Sequence, residues 1–130
     1  MVKDQETRFS LQKRKQSFGY AFKGLIILVK TQHNSWIHII AAIVAIITGI
    51  IFNLNYIEWC LVSIAIGLVL VSEIINTSIE FLTNLVSPDY NELAGKVKDL
   101  AAAAVLVAAF TAISIGLFVF LPRIIILFGE

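Results

Sequence analysis

Three apolar stretches, roughly 36–52, 57–86 and 100–121, dominate this 130-residue chain. Each is long enough to cross the ~30 Å of hydrocarbon in a bilayer at ~1.5 Å per helical residue. The first and third contain no Asp, Glu, Lys or Arg, and the second is apolar as far as Ser72 apart from Glu58 near its start. A soluble core helix of that length would carry a polar face, and none is visible. With 58% hydrophobic residues the chain reads as a small integral membrane protein rather than a soluble globule. The expected fold is all-α, a single membrane domain over 1–130. It comprises an N-terminal surface helix at 8–30 and transmembrane helices at 34–53, 57–86 and 92–121.

Charge sets the orientation. Nine of the ten Lys and Arg residues lie before residue 36 or between the second and third spans, and only Arg123 follows the last span. The positive-inside rule places the N-terminus and the 86–99 connection in the cytoplasm, and the 53–55 turn and C-terminal tail outside. No apolar h-region occurs before residue 24, so no cleavable signal peptide is expected. The basic residues sit beside a membrane span, where anionic membrane lipids and not nucleic acid are the expected partners. Cys60, the one cysteine, has no internal disulfide partner, and packing is its expected role.

The N-terminal stretch 1–7 is polar and expected to fray. From Arg8 to about Lys30, Phe18, Ala21, Phe22 and Leu25 recur at helical spacing, while Lys13, Gln16, Tyr20 and Lys23 occupy another face. Such a helix lies in the cytoplasmic interface. It either anchors the chain there or uses Tyr20 and its lysines to cover a nucleotide or headgroup. His33 and His38 lack partners at metal-ligand spacing and read as interfacial polar residues. Trp36, Tyr56 and Trp59 fit an aromatic belt. Asp89 or Asn91 is expected to cap the third span after the turn at Pro88. In that span Ala104, Ala108, Ala112 and Gly116 recur every four residues, a small-residue stripe that marks a helix–helix interface in a bilayer. Three spans enclose little, so homo-oligomerisation is expected.

At the inner end of the second span stand Glu73, Asn76, Glu80 and Asn84. Their offsets of 3, 7 and 11 residues return to nearly one azimuth at ~100° per residue. Carboxylates on an apolar helix are costly and persist mainly where they do chemistry or transport. Glu92, Lys96, Lys98 and Asp99 open the next span across a short turn. Acids, an amide and an ammonium facing each other at a lipid–water boundary point to metal-assisted chemistry on a lipid headgroup. Glu73 lies ~24 Å along the helix from Ile57, near the inner hydrocarbon edge, where a lipid hydroxyl would sit. A transporter's coupling carboxylate belongs near the midplane. No G-x-x-x-x-G-K-[ST] or G-x-G-x-x-G loop occurs, so phosphates would be held by side chains and metal.

The run Glu73-Ile74-Ile75-Asn76-Thr77-Ser78-Ile79-Glu80, followed by Lys98-Asp99 and an alanine run, resembles the signature of the bacterial diacylglycerol kinase/undecaprenol kinase family. Gly19-Tyr20 and Lys23-Gly24-Leu25 are similar to that family as well, and the resemblance covers roughly 13–120. It implies a homotrimer in the bacterial inner membrane, with Mg2+-bound ATP as phosphoryl donor and a lipid alcohol, diacylglycerol or undecaprenol, as acceptor. It also implies Glu73 as the base that takes the hydroxyl proton and Glu80 as a metal ligand. Asn76 would orient the metal or the phosphates. Lys98 would contact phosphate, with Asp99 fixing the lysine. Glu92 and Gly95 would line the nucleotide site, and Tyr20 and Lys13 would contribute from the surface helix, Lys13 toward the lipid.

The chain departs from the family pattern where a metal-holding glutamate appears as Gln32, an aspartate as Asn84 and a loop histidine as Asn91. Gln32 still offers a carbonyl oxygen, a weaker Mg2+ ligand than carboxylate, which implies weaker metal affinity or a shifted site. The alternatives are a small proton-coupled transporter or a catalytically weakened structural homologue. Magnesium-dependent ADP release in the presence of a lipid alcohol separates them, because only the kinase needs nucleotide.

Overall fold

The computed structural model describes residues 10–128. The polar stretch 1–7, residues 8 and 9 of the expected surface helix, and the last two residues lie outside the described residues. Four helices follow in order, α1 (Leu11–Thr31), α2 (His33–Ile51), α3 (Tyr56–Val86) and α4 (Glu92–Phe128). The last three are long and apolar enough to cross a membrane.

The helix ends are written in short polar signals. Ser10 accepts a bond from the Lys13 amide at the start of α1. Gln32, with extended backbone, is at once the end of α1 and the cap of α2. The corner is held by Trp36 Nε1, which donates to the Val29 carbonyl at 3.1 Å, and by buried Leu28. Between α2 and α3, Asn53 takes a left-handed conformation (φ 50°), which asparagine tolerates better than most residues. Asn55 then forms a capping box with Glu58, accepting from the Ile57 and Glu58 amides at 2.9 and 3.0 Å while Glu58 accepts from the Asn55 amide. Asn91 caps α4 through the Leu93 and Ala94 amides.

α4 continues through Pro122 to Phe128, well past the expected end at 121. Arg123, inside this extension, donates to the Phe52 carbonyl and pairs with Glu58. It thereby ties the last turns of α4 to the α2–α3 turn. Beneath that tie Leu54, Val62 and Val119 form a small core with Trp59 and Ala45 against it. Gly49 belongs here because a Cβ at its position would lie 2.8 Å from the Trp59 ring.

α3 is the central helix and packs most extensively on α4. Val62, Ala65 and Val69 are its buried apolar face. On α4 the small stripe is turned partly inward: Ala108 is buried and Ala112 half-buried, but Ala104 is exposed and Ala101 takes the buried place one turn earlier. Cys60 is exposed, so the described residues do not give it the packing role expected of it. Phe18 and Phe22 of α1 and Ile40, Ile47 and Ile51 of α2 are likewise exposed over half or more of their surface. Apolar surface on this scale is unusual for a soluble monomer and normal for helices solvated by lipid or by further protein.

Candidate active site

The buried face of α3 changes chemistry along its length. Val62, Ala65 and Val69 are followed on the same azimuth by Glu73, Asn76 and Glu80, since each step of three or four residues nearly completes a turn. Glu73 is 2% exposed and Asn76 8%. Packing therefore drives these polar groups inward together with the apolar ones.

Glu80 is the hub of the first cluster. Gln32 Nε2 donates to its Oε2 at 2.9 Å, and Asn76 Nδ2 donates to its Oε1 at 3.2 Å. The corner between α1 and α2 thus meets the C-terminal part of α3 through a carboxylate whose two oxygens each accept from a different amide. Gln32, at the α1–α2 corner, is thereby brought to Asn76 and Glu80, which the sequence already placed on one face of α3.

Glu73 stands two turns deeper, ~10 Å along the axis. His38 Nε2 of α2 lies 3.0 Å from its Oε1. That oxygen, with Asn76 Oδ1, Thr77 Oγ1 and Ser35 Oγ, has no hydrogen-bond partner although it is buried. Because the 3.0 Å approach to His38 lacks hydrogen-bond alignment, it is best described as a close polar contact. Buried oxygens without partners are uncommon, since each forfeits its hydration. Their concentration at one level of α2 and α3 marks this level as more than packing. His38 is the residue the sequence reading missed: it is not simply an interfacial polar group but faces the buried acid. Its one sequence signal is a titratable ring inside an apolar helix.

The remaining nominated residues lie apart from these clusters. Lys98 Nζ donates to Asn84 Oδ1 at 2.6 Å, joining the start of α4 to the end of α3. Glu92 pairs with Lys96 at 2.7 Å on the exposed side of α4. The Gly95 amide bonds the Asn91 carbonyl, and Asp99 is exposed. On α1, Tyr20 lies beneath the Lys23 ammonium at 5.6 Å, and Lys13 is exposed.

Among the described residues no group of three or more His, Cys, Asp and Glu is placed to hold a metal. The donors around Glu80 nonetheless suit a hard cation. A carboxylate, the Gln32 amide and the unpartnered Asn76 Oδ1 are oxygen ligands, and Mg2+ characteristically takes one or two carboxylates and completes its shell with water and phosphate oxygens. Residues of this kind fit Mg2+ delivered with a nucleotide better than a resident ion in an all-protein cage.

Three long apolar helices, with Glu73 and Asn76 buried in the C-terminal half of the central one, define a multi-pass membrane protein. The family model for prokaryotic diacylglycerol kinase matches residues 19–120. An undecaprenol kinase of Bacillus subtilis is 36% identical over 109 residues, covering 84% of this chain and 89% of that protein. A diacylglycerol kinase of Synechocystis is 35% identical over 110 residues, covering 84% of this chain and 63% of that protein. A diacylglycerol kinase of Escherichia coli is 29% identical over 102 residues, covering 73% of this chain and 78% of its own length. The chain belongs to the prokaryotic diacylglycerol kinase family and is a lipid kinase that uses ATP.

Proposed function

We propose that the chain transfers the γ-phosphate of Mg2+-bound ATP to the hydroxyl of a membrane lipid alcohol at the cytoplasmic face of a bacterial inner membrane. The acceptor is diacylglycerol, giving phosphatidic acid, or undecaprenol, giving undecaprenyl phosphate. These are the two lipids carried in the names of its relatives. The observation that carries the reading is the spacing on one face of α3: a buried carboxylate, Glu73, and ~10 Å away a second, Glu80, fastened by two amides. Two acids at different depths suit two reactants that arrive from different phases.

Glu73 accepts the proton as the lipid oxygen bonds to the γ-phosphorus and the bond to the β–γ bridging oxygen breaks, releasing ADP. Glu80, with Gln32 and Asn76, holds Mg2+, which when bound neutralises charge on the phosphate oxygens. Lys98 adds positive charge to the phosphates, Asp99 fixes that lysine, Glu92 and Gly95 line the nucleotide site, and Tyr20 covers the nucleotide from α1. Lys13 meets the lipid headgroup. α1 lies in the cytoplasmic interface on its exposed Phe18 and Phe22, the N-terminus is cytoplasmic and the C-terminus outside. A homotrimer accounts for the uncovered apolar faces and for the exposed part of the small-residue stripe on α4.

The test is a panel of diacylglycerol, undecaprenol and ceramide presented to purified protein in mixed micelles with Mg2+ and labelled ATP. Label entering one of the first two lipids is the expected result. Mg2+-dependent labelling of none of the three would sink the reading.

A further inference from the structure

The proposed phosphoryl transfer uses Glu73 and leaves His38 without a task. His38 stands near the start of α2 among Ile37, Ile39 and Ile40, where a polar ring gains nothing from its surroundings. It is also the one polar residue lining an apolar cavity of about 320 Å³ between α2, α3 and α4, whose other walls are alanine, glycine, aliphatic side chains and Phe120. The polar group the ring does approach is Glu73 Oε1, 3.0 Å from Nε2. Among the described residues no aligned hydrogen bond reaches that oxygen.

An ionised carboxylate 2% exposed costs several kcal/mol unless a donor or cation faces it. Nε2 attracts a carboxylate oxygen only when it carries a proton, because two lone pairs at this distance repel. A proton on Nε2, on a neutral ring or an imidazolium, supplies the donor that Glu73 Oε1 otherwise lacks. A small turn of the ring or of the carboxyl aligns the bond.

We propose that His38 is a positioning residue for Glu73. By donating from Nε2 to Oε1, it fixes the rotation of the carboxyl group and leaves Oε2 as the oxygen presented to the acceptor hydroxyl. The proposal rests on the reading of Glu73 as the base. It adds a residue from a different helix to the reacting centre, so that the seat of α2 against α3 sets the aim of the base. Near-attack geometry is sensitive to such aim: a displacement of ~1 Å costs on the order of 100-fold in rate.

The experiment compares His38→Met and His38→Gln in the full-length purified protein, together with Glu73→Gln. Met and Gln side chains are unbranched and of similar length, so the pair differs chiefly in the donated N–H. Assembly is checked by size-exclusion chromatography and thermal melting in detergent. In His38→Met, kcat for lipid phosphorylation should fall on the order of 100-fold while the KM for ATP stays unchanged. His38→Gln should recover most of the loss, and His38→Met should slow the residual rate of Glu73→Gln no further.

A His38→Met enzyme with wild-type kcat overturns the proposal. So does a His38→Gln enzyme as slow as His38→Met, or a KM for ATP that rises in step with the loss. Failure of either His38 variant to assemble also overturns it, because the ring would then be a structural pin between α2 and α3. Near-normal turnover by Glu73→Gln sinks the base assignment and this proposal together. An inactive Glu73→Gln beside a fully active His38→Met sinks this proposal alone.

Discussion

Replacing Gln32 by glutamate should have opposite effects with and without magnesium. Gln32 Nε2 now donates to Glu80 Oε2 at 2.9 Å. In Gln32→Glu that attraction becomes a contact between two carboxylates whose charge centres lie ~4 Å apart, a repulsion of ~4 kcal/mol at an effective dielectric constant near 20. The corner is partly open to water, so screening and side-chain movement leave about 1–2 kcal/mol of it. In EDTA the variant should therefore melt at a lower temperature than the parent. With Mg2+ bound, the new carboxylate would serve as a second carboxylate ligand beside Glu80, and hard cations favour carboxylate over amide oxygen. A gain of ~1.4 kcal/mol corresponds to a tenfold lower half-saturating concentration of free Mg2+. The assay is lipid phosphorylation at saturating ATP across a free-Mg2+ titration, paired with melting curves in Mg2+ and in EDTA. A folded variant with unchanged Mg2+ requirement would remove residue 32 from the metal site. An equal loss of melting temperature in Mg2+ and in EDTA would show that no cation enters between the two carboxylates.

Glu73→Gln keeps shape and loses the basic oxygen, so transfer should drop by at least on the order of 100-fold with the size-exclusion profile unchanged; retained turnover removes Glu73 from the base role. Lys98→Ala removes the ammonium now bonded to Asn84 and should raise the KM for ATP roughly tenfold, the loss of about 1.4 kcal/mol of phosphate binding. An unchanged KM would place the triphosphate elsewhere. Gly49→Ala drives a methyl to 2.8 Å from the Trp59 ring and should destabilise the end of the bundle at the α2–α3 turn by about 1–3 kcal/mol, read from Trp fluorescence during denaturation in detergent; an unaltered midpoint would show that the ring simply moves aside.

The helices were legible because their signals are local. Apolar length gives the spans, and the Asn55–Glu58 box and the Asn91 cap lie within three residues of the amides they serve. The end of α4 was not, since a proline reads as a stop. What carries the helix past Pro122 is Arg123 reaching Glu58 and Phe52, contacts that no window on the sequence contains. The same division runs through the site. The common face of Glu73, Asn76 and Glu80 follows from helical periodicity alone. The meeting of Gln32 with Glu80, 48 positions away, was expected only through the family resemblance. The place of His38 was not legible because its partner, Glu73, lies on another helix. A ring in an apolar span needs a polar neighbour, and no local window says which one.

Fold and chemistry share one surface of α3, and this explains the gradation of environments better than either would alone. The face that buries Val62, Ala65 and Val69 continues without a break into Glu73, Asn76 and Glu80. Packing by α2 closes over the upper part of this polar stretch, so Glu73 is sealed while Glu80, one corner nearer the helix end, stays partly exposed. A base for a lipid hydroxyl benefits from exclusion of water, which would otherwise compete as acceptor of the phosphoryl group. A ligand for a nucleotide-borne cation needs the opposite, access from water. On the proposed placement, with α3 running from hydrocarbon into the interface, one helix would supply both conditions in series, and the angular register would keep the two acids in line. Seven residues, very nearly two turns, is a spacing that does so on a straight helix. Six or eight residues would turn the second acid ~120° or ~80° away from the first, off the shared face.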